Sequence, residues 1–154
     1  MSEAGCFFCP MVQALETGEA YRAPSGEVSR RVALLPSAVA VLGYDQYYPG
    51  YTLVISRRHA TELYHLPDAE SQAYFGDMLR VARAIDRAFS PRKMNYELLG
   101  NTVPHLHAHV LPRYADDPRP GWPFPWPDED PPPFPEDEVQ RDAAALRQAL
   151  SDAL

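Results

Sequence analysis

The sequence predicts one domain of mixed helices and strands, and three observations lead to this prediction. The chain has 154 residues, 45% of them hydrophobic, which is enough to bury one core. Apolar side chains recur at three- and four-residue steps over 68–89, as on one face of a long helix. Segments 31–42 and 51–56 are dense in Val, Leu, Ile and Ala, which indicates strands.

Proline and glycine mark the ends of these elements, because both residues interrupt helices and strands. Pro67 precedes the long helix and Ser90-Pro91 follows it, while Pro49-Gly50 forms a turn between the two apolar segments. In chain order, we expect a helix over 10–17, strands over 31–42 and 51–56, a helix over 68–89, strands over 95–99 and from the turn at 100–104 to 112, and a helix over 136–150.

The negative charge of the chain is confined to one region. Residues 116–142 contain nine acidic and two basic residues, which accounts for the whole formal net charge of −7. The remainder is neutral and has no cluster of Lys and Arg, such as a surface that binds long nucleic acid requires. We therefore expect no long DNA or RNA as a partner.

A proline-rich segment separates the expected core from the last helix. Residues 118–135 hold nine of the seventeen prolines, and so many missing N–H donors favour an irregular surface segment. The single domain then divides into a core over 1–115, a proline-rich acidic surface segment over 116–135 and a C-terminal helix over 136–154.

The cellular location is inferred from apolar runs and cysteines. No run approaches the roughly 18 apolar residues that cross a bilayer, and no leader pattern is visible. The two cysteines, Cys6 and Cys9, are a poor framework for disulfides but have an ordinary spacing for a metal site. We expect a cytoplasmic protein without a membrane partner.

Three of the five histidines alternate along one expected strand, at His105, His107 and His109. Alternate side chains of a strand share a face, so the three imidazoles should project together while the apolar residues between them face the core. Imidazole can serve as nucleophile, proton carrier or metal ligand. The alternatives are a chance polar face of a half-buried strand and an adventitious metal site of three ligands.

The segment His105–Leu111 resembles the signature of the histidine-triad (HIT) family, in which three histidines alternate with apolar residues. Pro49–His59 is similar to the family's Pro-Gly-His-x-Leu-Val-x-Pro-Lys-x-His strand, and Cys6-x-x-Cys9 to its frequent N-terminal pair. The resemblance implies an α+β fold, an antiparallel sheet with one long and one or two shorter helices. It also implies a homodimer.

The resemblance further implies a nucleotide hydrolase that acts on dinucleoside polyphosphates, such as diadenosine tetraphosphate, or on nucleoside phosphoramidates. His107 would attack the α-phosphorus, and water would release a nucleoside monophosphate from the nucleotidyl-histidine intermediate. His109 would bind the phosphate or help to protonate the leaving group. The alternatives are a nucleotidyltransferase or phosphorylase of the same superfamily, and a nucleotide-binding protein without catalysis. No organic cofactor is expected.

Substrate contacts are also implied by the resemblance. Asn101 and Thr102 stand where the family places Gln and Ser or Thr donors to the phosphate. Asn95 corresponds to a family Asn or Gln that contacts the phosphate chain, although the loop that follows it is shorter here. These three residues are the expected phosphate ligands.

Three positions depart from the family pattern. Gly43 stands where an Asp often contacts the ribose, so Asp45, two residues later, is the expected substitute. Tyr51 replaces a common His, and Ser56 replaces a common Pro. These changes concern the nucleoside pocket more than the histidine triad.

A structural zinc site is the last implication of the resemblance. Its four ligands would be Cys6, Cys9, His59 and His105, and a closed set of nitrogen and sulfur ligands is typical of structural zinc. The alternatives are a pair of buried thiols with a solvent-facing His59, and a redox-active cysteine pair.

Overall fold

A computed structural model describes residues 5–19, 30–43, 48–122 and 135–152. Within these ranges the chain forms three α-helices, a short 3-10 helix over Leu63–His65 and one five-stranded antiparallel sheet. The elements are, in chain order, α1 Cys9–Thr17, β1 Arg31–Leu34, β2 Ala38–Leu42, β3 Thr52–Ser56, α2 Asp68–Phe89, β4 Lys93–Glu97, β5 His107–Arg113 and α3 Glu136–Ser151. The expected α+β fold is confirmed.

The strands pair in the order β1-β2-β3-β5-β4, and all neighbours are antiparallel. β5, which carries His107 and His109, therefore lies inside the sheet. In its register with β3, His107 is opposite Ile55 and His109 is opposite Leu53. The backbone of β5 is thus held in place by a neighbouring strand on each side.

Helices α2 and α3 cover one face of the sheet. Ala108 and Val110 of β5 are fully buried there, together with Val54 of β3 and apolar side chains of both helices. The hydroxyl of Tyr74 in α2 donates a hydrogen bond of 2.7 Å to the Val54 carbonyl. The apolar residues between the histidines therefore face the core, as the alternating pattern predicts.

The opposite face is only partly covered, by α1. Val12 and Leu15 of this helix pack against Val39, Val41 and Ile55 of the sheet. The helix begins with Pro10 in its first turn and ends at Gly18, whose φ of 78° is in the left-handed region. This second face carries His107 and His109.

The sequence predicts one strand over 31–42, whereas the structure has two strands joined by a tight turn. The N–H of Leu35 donates to the Ala38 carbonyl at 2.8 Å across this turn. Asp77 of α2 accepts hydrogen bonds from the N–H and the hydroxyl of Ser37, both 2.7 Å long. Pro36-Ser37 lies at the centre of this turn and is the local signal that a single strand over 31–42 overlooks, because proline interrupts strands and both residues favour turns.

Two boundaries also differ around the histidines. β4 covers 93–97 where the sequence predicts 95–99, because Lys93 already pairs with Arg113 in the ladder with β5. β5 begins at His107, so His105 precedes the strand. The three helices agree with the prediction to within one residue at each end.

The segment that follows β5 is irregular over 114–122, which agrees with the prediction for 118–135 in the part described, 118–122. Residues 123–134 lie outside the described ranges, as does Asp45. None of the helices in the described part of the chain is long and apolar enough to cross a membrane.

Candidate active site and metal centre

His107, the first residue of β5, is buried, with 7% of its surface exposed. Its Nδ1 lies 2.6 Å from the carbonyl oxygen of His105. Since a carbonyl oxygen only accepts hydrogen bonds, Nδ1 must carry the proton and Nε2 keeps its lone pair. The ring of Phe8 packs edge-on against the imidazole, with centroids 5.0 Å apart. His107 is therefore held in the tautomer that a nucleophilic Nε2 requires.

Burial also keeps this imidazole neutral. It lowers the pKa of His107 below the usual value, while the hydrogen bond to the His105 carbonyl raises it in part. A neutral ring is the form that can attack an electrophile.

His109 lies beside His107, with ring centroids 5.0 Å apart. Its Nδ1 is 2.6 Å from the hydroxyl of Tyr51, and the two rings are stacked at 11°. Burial, followed by the neighbouring His107, lowers the pKa of His109 to about 4. At neutral pH this ring is consequently an uncharged hydrogen-bond partner.

His105 belongs to a second cluster. It is fully buried, and its Nε2 lies 2.7 Å from the Ser56 carbonyl, to which it donates. Its Nδ1 is therefore left with a lone pair. This atom lies 3.2 Å from Sγ of Cys6 and 3.7 Å from Sγ of Cys9. The three histidines thus divide into a candidate catalytic pair, His107 and His109, and a candidate metal ligand, His105.

The four predicted metal ligands do come together. The ligand atoms of Cys6, Cys9, His59 and His105 all lie within 4.8 Å of one another. His59 Nδ1 is 3.4 Å from Sγ of Cys9 and 3.3 Å from Nδ1 of His105. A tetrahedral zinc, with bonds of about 2.3 Å to sulfur and about 2.0 Å to nitrogen, separates neighbouring ligand atoms by roughly 3.3–3.8 Å. This side-chain cluster could therefore hold a metal ion of that size.

One alternative required His59 to face the solvent, apart from the cysteines. No disulfide joins Cys6 and Cys9, which both alternatives also allow. His59 is only partly buried, but its ring packs edge-on against that of His105, with centroids 5.2 Å apart. His59 is thus part of the cluster.

The predicted phosphate ligands are less closely assembled. Asn101 and Thr102 are exposed in the loop between β4 and β5. Asn95 pairs with Leu111, which is two residues after His109 and on the same face of the sheet. It lines a cleft of about 470 Å³ together with Lys93 and Trp122, among others. Within the described residues, no hydrogen bond joins any of these three polar side chains to a histidine of the triad.

Residues 28–116, which include all five strands, match the family model of the HIT domain. This match covers more than half of the chain. The chain belongs to the HIT domain family. A solved structure agrees with this, since a histidine triad protein from Bradyrhizobium japonicum superposes with a TM-score of 0.70 at 31% identity. That comparison covers 79% of this chain and 90% of the other.

Proteins whose sequences are similar to this chain carry several different names. The chain is 32% identical over 115 residues to the Protein hit of Bacillus subtilis, across 71% of this chain and 72% of that protein. It is 34% identical over 85 residues to the asymmetrical bis(5'-nucleosyl)-tetraphosphatase of Schizosaccharomyces pombe, across 52% and 47%. It is 33% identical over 84 residues to AP-4-A phosphorylase of Mycobacterium tuberculosis, across 51% and 43%. The chain thus spans less than half the length of these last two relatives.

One acidic side chain beside the triad, that of Glu97, is not predicted by the sequence. Glu97, the last residue of β4, pairs with His109, so both side chains lie on the same face of the sheet. Its two carboxylate oxygens are buried, and neither makes a hydrogen bond to any of the residues that the structure describes. Burial raises the pKa of Glu97, and the charge of Arg113 opposes this rise. The position follows from the register of β4 with β5, which the sequence does not reveal.

The expectation that the change at Tyr51 concerns the nucleoside pocket more than the triad is wrong, because the tyrosine contacts His109. The same ring also packs against Gly43. Tyr51 is buried, and its ring lies over the end of β2. A Cβ added to Gly43 would come within 2.2 Å of Cε1 of this ring. The position where the family often has Asp is therefore filled by the tyrosine.

Proposed function

We propose that this HIT chain is a nucleotide hydrolase that cleaves at an α-phosphorus through a nucleotidyl-histidine intermediate. The observation that carries the proposal is the hydrogen bond of 2.6 Å from His107 Nδ1 to the His105 carbonyl. It directs the lone pair of a neutral imidazole to Nε2, the atom that would attack. His109, also neutral, would donate a hydrogen bond to a phosphate oxygen next to it.

The reaction has two steps. In the first, Nε2 of His107 forms a bond to the α-phosphorus, the bond from phosphorus to the leaving group breaks, and the leaving group takes up a proton from water, with the help of His109. In the second, water adds to the same phosphorus, the P–N bond breaks and His107 is regenerated with release of a nucleoside monophosphate. The intermediate replaces one difficult displacement by two easier ones.

The substrate class is a dinucleoside polyphosphate or a nucleoside phosphoramidate. The tetraphosphatase and phosphorylase among the relatives support the first of these, but at 34% and 33% identity they do not decide between water and phosphate as acceptor. The second candidate function is therefore a phosphorylase or another nucleotidyltransferase. With diadenosine tetraphosphate, a hydrolase yields AMP and ATP, whereas a phosphorylase supplied with inorganic phosphate yields ADP and ATP. Product analysis with and without phosphate separates the two.

The experiment that tests the proposal compares His107→Asn with His65→Asn. His65 is exposed in the 3-10 helix, and it serves as the matched control. We expect the His107 variant to lose at least about 10³-fold in kcat, as for other covalent nucleophiles, and the control to keep its rate. Rapid quench and peptide mapping should find the nucleotide on His107 of the wild type. If the His107 variant turns over normally, or only binds nucleotide as the wild type does, a non-catalytic role replaces the proposal.

The remaining substrate contacts are proposed by family resemblance. Asn101 and Thr102 would supply an amide and a hydroxyl to the phosphate, and their exposed loop leads directly to His105. Asn95 lies on the histidine face, within the cleft beyond Leu111. Asp45 is the proposed ribose ligand. Single alanine variants should raise KM for a nucleotide if these contacts form.

Zinc is the proposed metal of the cluster formed by Cys6, Cys9, His59 and His105. The four donor atoms are two sulfurs and two nitrogens, and their separations suit a closed tetrahedral site, so the metal would be structural. The hydrogen bond from His105 Nε2 to the Ser56 carbonyl leaves Nδ1 facing the two cysteine sulfurs, as a ligand of a shared ion would be. The ion would tie Cys9 at the start of α1, and Cys6 just before it, to His105 just before β5.

A homodimer is the proposed assembly, and the protein is proposed to be cytoplasmic. β4 lies at the edge of the sheet, and Tyr96, Leu98 and Leu99 at its end are each more than 40% exposed. An unprotected strand edge with apolar neighbours favours pairing with another chain. Light scattering of Tyr96→Lys against the wild type tests this, because the variant should be monomeric if the edge is the interface.

A further inference from the structure

The hydroxyl of Tyr51 is within hydrogen-bonding distance of His109, the second histidine of the candidate catalytic pair. The oxygen lies 2.6 Å from Nδ1, and the two rings stack with centroids 6.0 Å apart at an angle of 11°. Tyr51 precedes β3 by one residue, and only 5% of its surface is exposed. A contact this short between two nearly parallel rings, of which Tyr51 is buried and His109 partly buried, holds both side chains in one orientation.

The tyrosine ring in turn depends on the residue at position 43. The N–H of Gly43 donates to the Tyr51 carbonyl at 2.9 Å, which brings the two backbones side by side. Atoms Cε1, Cδ1 and Cζ of the ring would lie 2.2, 2.4 and 2.8 Å from any Cβ at position 43. Even alanine therefore clashes with the ring unless the ring moves. Glycine is what allows the hydroxyl to reach His109.

The direction of the hydrogen bond follows from the ligand that His109 would face. Phosphate oxygens at neutral pH accept hydrogen bonds, so a neutral imidazole can bind them only through a protonated nitrogen. With Nδ1 occupied by the tyrosine, the nitrogen free to face the phosphate is Nε2. Nε2 must then carry the proton, and Nδ1 accepts from the hydroxyl.

We infer that Tyr51 is a positioning residue for His109: its hydroxyl donates to Nδ1, holds the ring proton on Nε2 and thereby aims a neutral N–H donor at the substrate phosphate. Gly43 is also needed for this positioning, because its missing side chain leaves room for the tyrosine ring. The role of the donor rests on the proposed function, whereas the tautomer of His109 is a property of the free protein.

The first test measures the ring nitrogens of the free protein by long-range ¹H–¹⁵N NMR. In the wild type we expect His109 to carry its proton on Nε2, with Nδ1 unprotonated. Tyr51→Phe keeps the ring and removes the hydroxyl, so the signals should shift towards a mixture of tautomers. Tyr74→Phe is the matched control, because it also removes one buried hydroxyl, the one bonded to the Val54 carbonyl. It should leave the His109 signals unchanged.

The second test measures turnover of diadenosine tetraphosphate. Tyr51→Phe should lower kcat on the order of tenfold, as the loss of an orienting partner of a functional histidine does, with little change in KM. Tyr74→Phe should leave both constants near those of the wild type. An unaltered His109 tautomer in Tyr51→Phe overturns the inference, as does an unaltered kcat in an active enzyme.

The third test uses position 43. Gly43→Ala should reproduce the NMR change of Tyr51→Phe, because it displaces the ring. Adding Gly43→Ala to Tyr51→Ser should then have no further effect on stability or on the His109 signals, since the ring is gone. Additive effects would contradict the proposed contact. If the wild type turns over no nucleotide while the tautomer still depends on Tyr51, the proposed function fails but the positioning of His109 stands.

Discussion

The carbonyl oxygen of His105 accepts a hydrogen bond from Nδ1 of His107, so the backbone of a candidate metal ligand fixes the tautomer of the candidate nucleophile. The side chain of His105 is itself held by Cys6, Cys9 and the Ser56 carbonyl. If the ligand cluster is disturbed, His105 should move, and its carbonyl would then no longer hold Nδ1 of His107 in place. This link suggests how a structural ion would influence catalysis without contacting the substrate.

Removing one metal ligand should test this link. We expect Cys9→Ser to lose most of its zinc and to melt at a lower temperature than the wild type, because metal binding to the folded state stabilises it. Turnover should fall as well, through the altered position of His105. Metal analysis by mass spectrometry and thermal melting are the measurements, with His65→Asn as control. Wild-type protein purified without any zinc would contradict the assignment of the cluster.

The buried carboxyl of Glu97 should make stability depend on pH. Its pKa is raised by burial in the folded state, so the native protein binds this proton more tightly than the unfolded chain. The contribution of Glu97 to stability is therefore greatest at low pH and declines as pH rises above about 4.3, the pKa of an unperturbed Glu. Glu97→Gln should remove this decline.

The measurement for Glu97 is urea unfolding from pH 4 to pH 8. The difference in unfolding free energy between Glu97→Gln and the wild type should grow in favour of the variant as pH rises. Glu62→Gln, an exposed substitution, is the control, and its unfolding free energy should depend on pH in the same way as that of the wild type. A difference that is constant over the whole pH range would show that the Glu97 carboxyl is not perturbed.

A buried ion pair anchors the segment that follows β5. Arg113 and Asp117 have side chains only 6% and 1% exposed, and Arg113 also donates to the carbonyls of Arg119 and Trp122. Asp117→Asn would leave the guanidinium buried without its counter-charge, at a cost of about 3 kcal/mol. Urea unfolding should show this loss, while Glu70→Gln in the exposed pair with Arg58 should have little effect.

The ion pair of Arg113 and Asp117 should also make the stability of the fold sensitive to acid. Burial would raise the pKa of Asp117, but hydrogen bonds from Arg113, from the Arg119 amide and from Tyr48 outweigh it, and the pKa is lowered. A lowered folded-state pKa means that Asp117 stabilises the protein above the pKa of the unfolded chain. This contribution is lost as pH falls through the lowered value. The Asp117→Asn variant should therefore differ most from the wild type near neutral pH and least in strong acid.

The turn between β1 and β2 should depend on one carboxylate of α2. Asp77→Ala removes the acceptor for both the N–H and the hydroxyl of Ser37, and it should cost about 2 kcal/mol. Asp86→Ala, at an exposed position of the same helix, is the matched control. Equal stability of the two variants would mean that the Ser37 contacts contribute nothing.

The sequence by itself determined the features that depend on near neighbours. The apolar period over 68–89 specifies α2, because residues three and four apart share one face of a helix. The alternation from Leu106 to Val110 specifies which side chains enter the core, because a strand has a period of two. The spacing of Cys6 and Cys9 suits a metal site, whereas His59 and His105 entered the expected ligand set only through the resemblance to the HIT family.

Only the tertiary structure decided which histidine has which surroundings. The register of β4 places Glu97 beside His109, and the ring of Tyr51 reaches the same histidine across the space left by Gly43. The His105 ring is drawn into the cysteine cluster, 99 positions from Cys6 in the chain. Such contacts join residues far apart in sequence, whose distance is set by strand pairing and packing, and no local pattern of side chains encodes it.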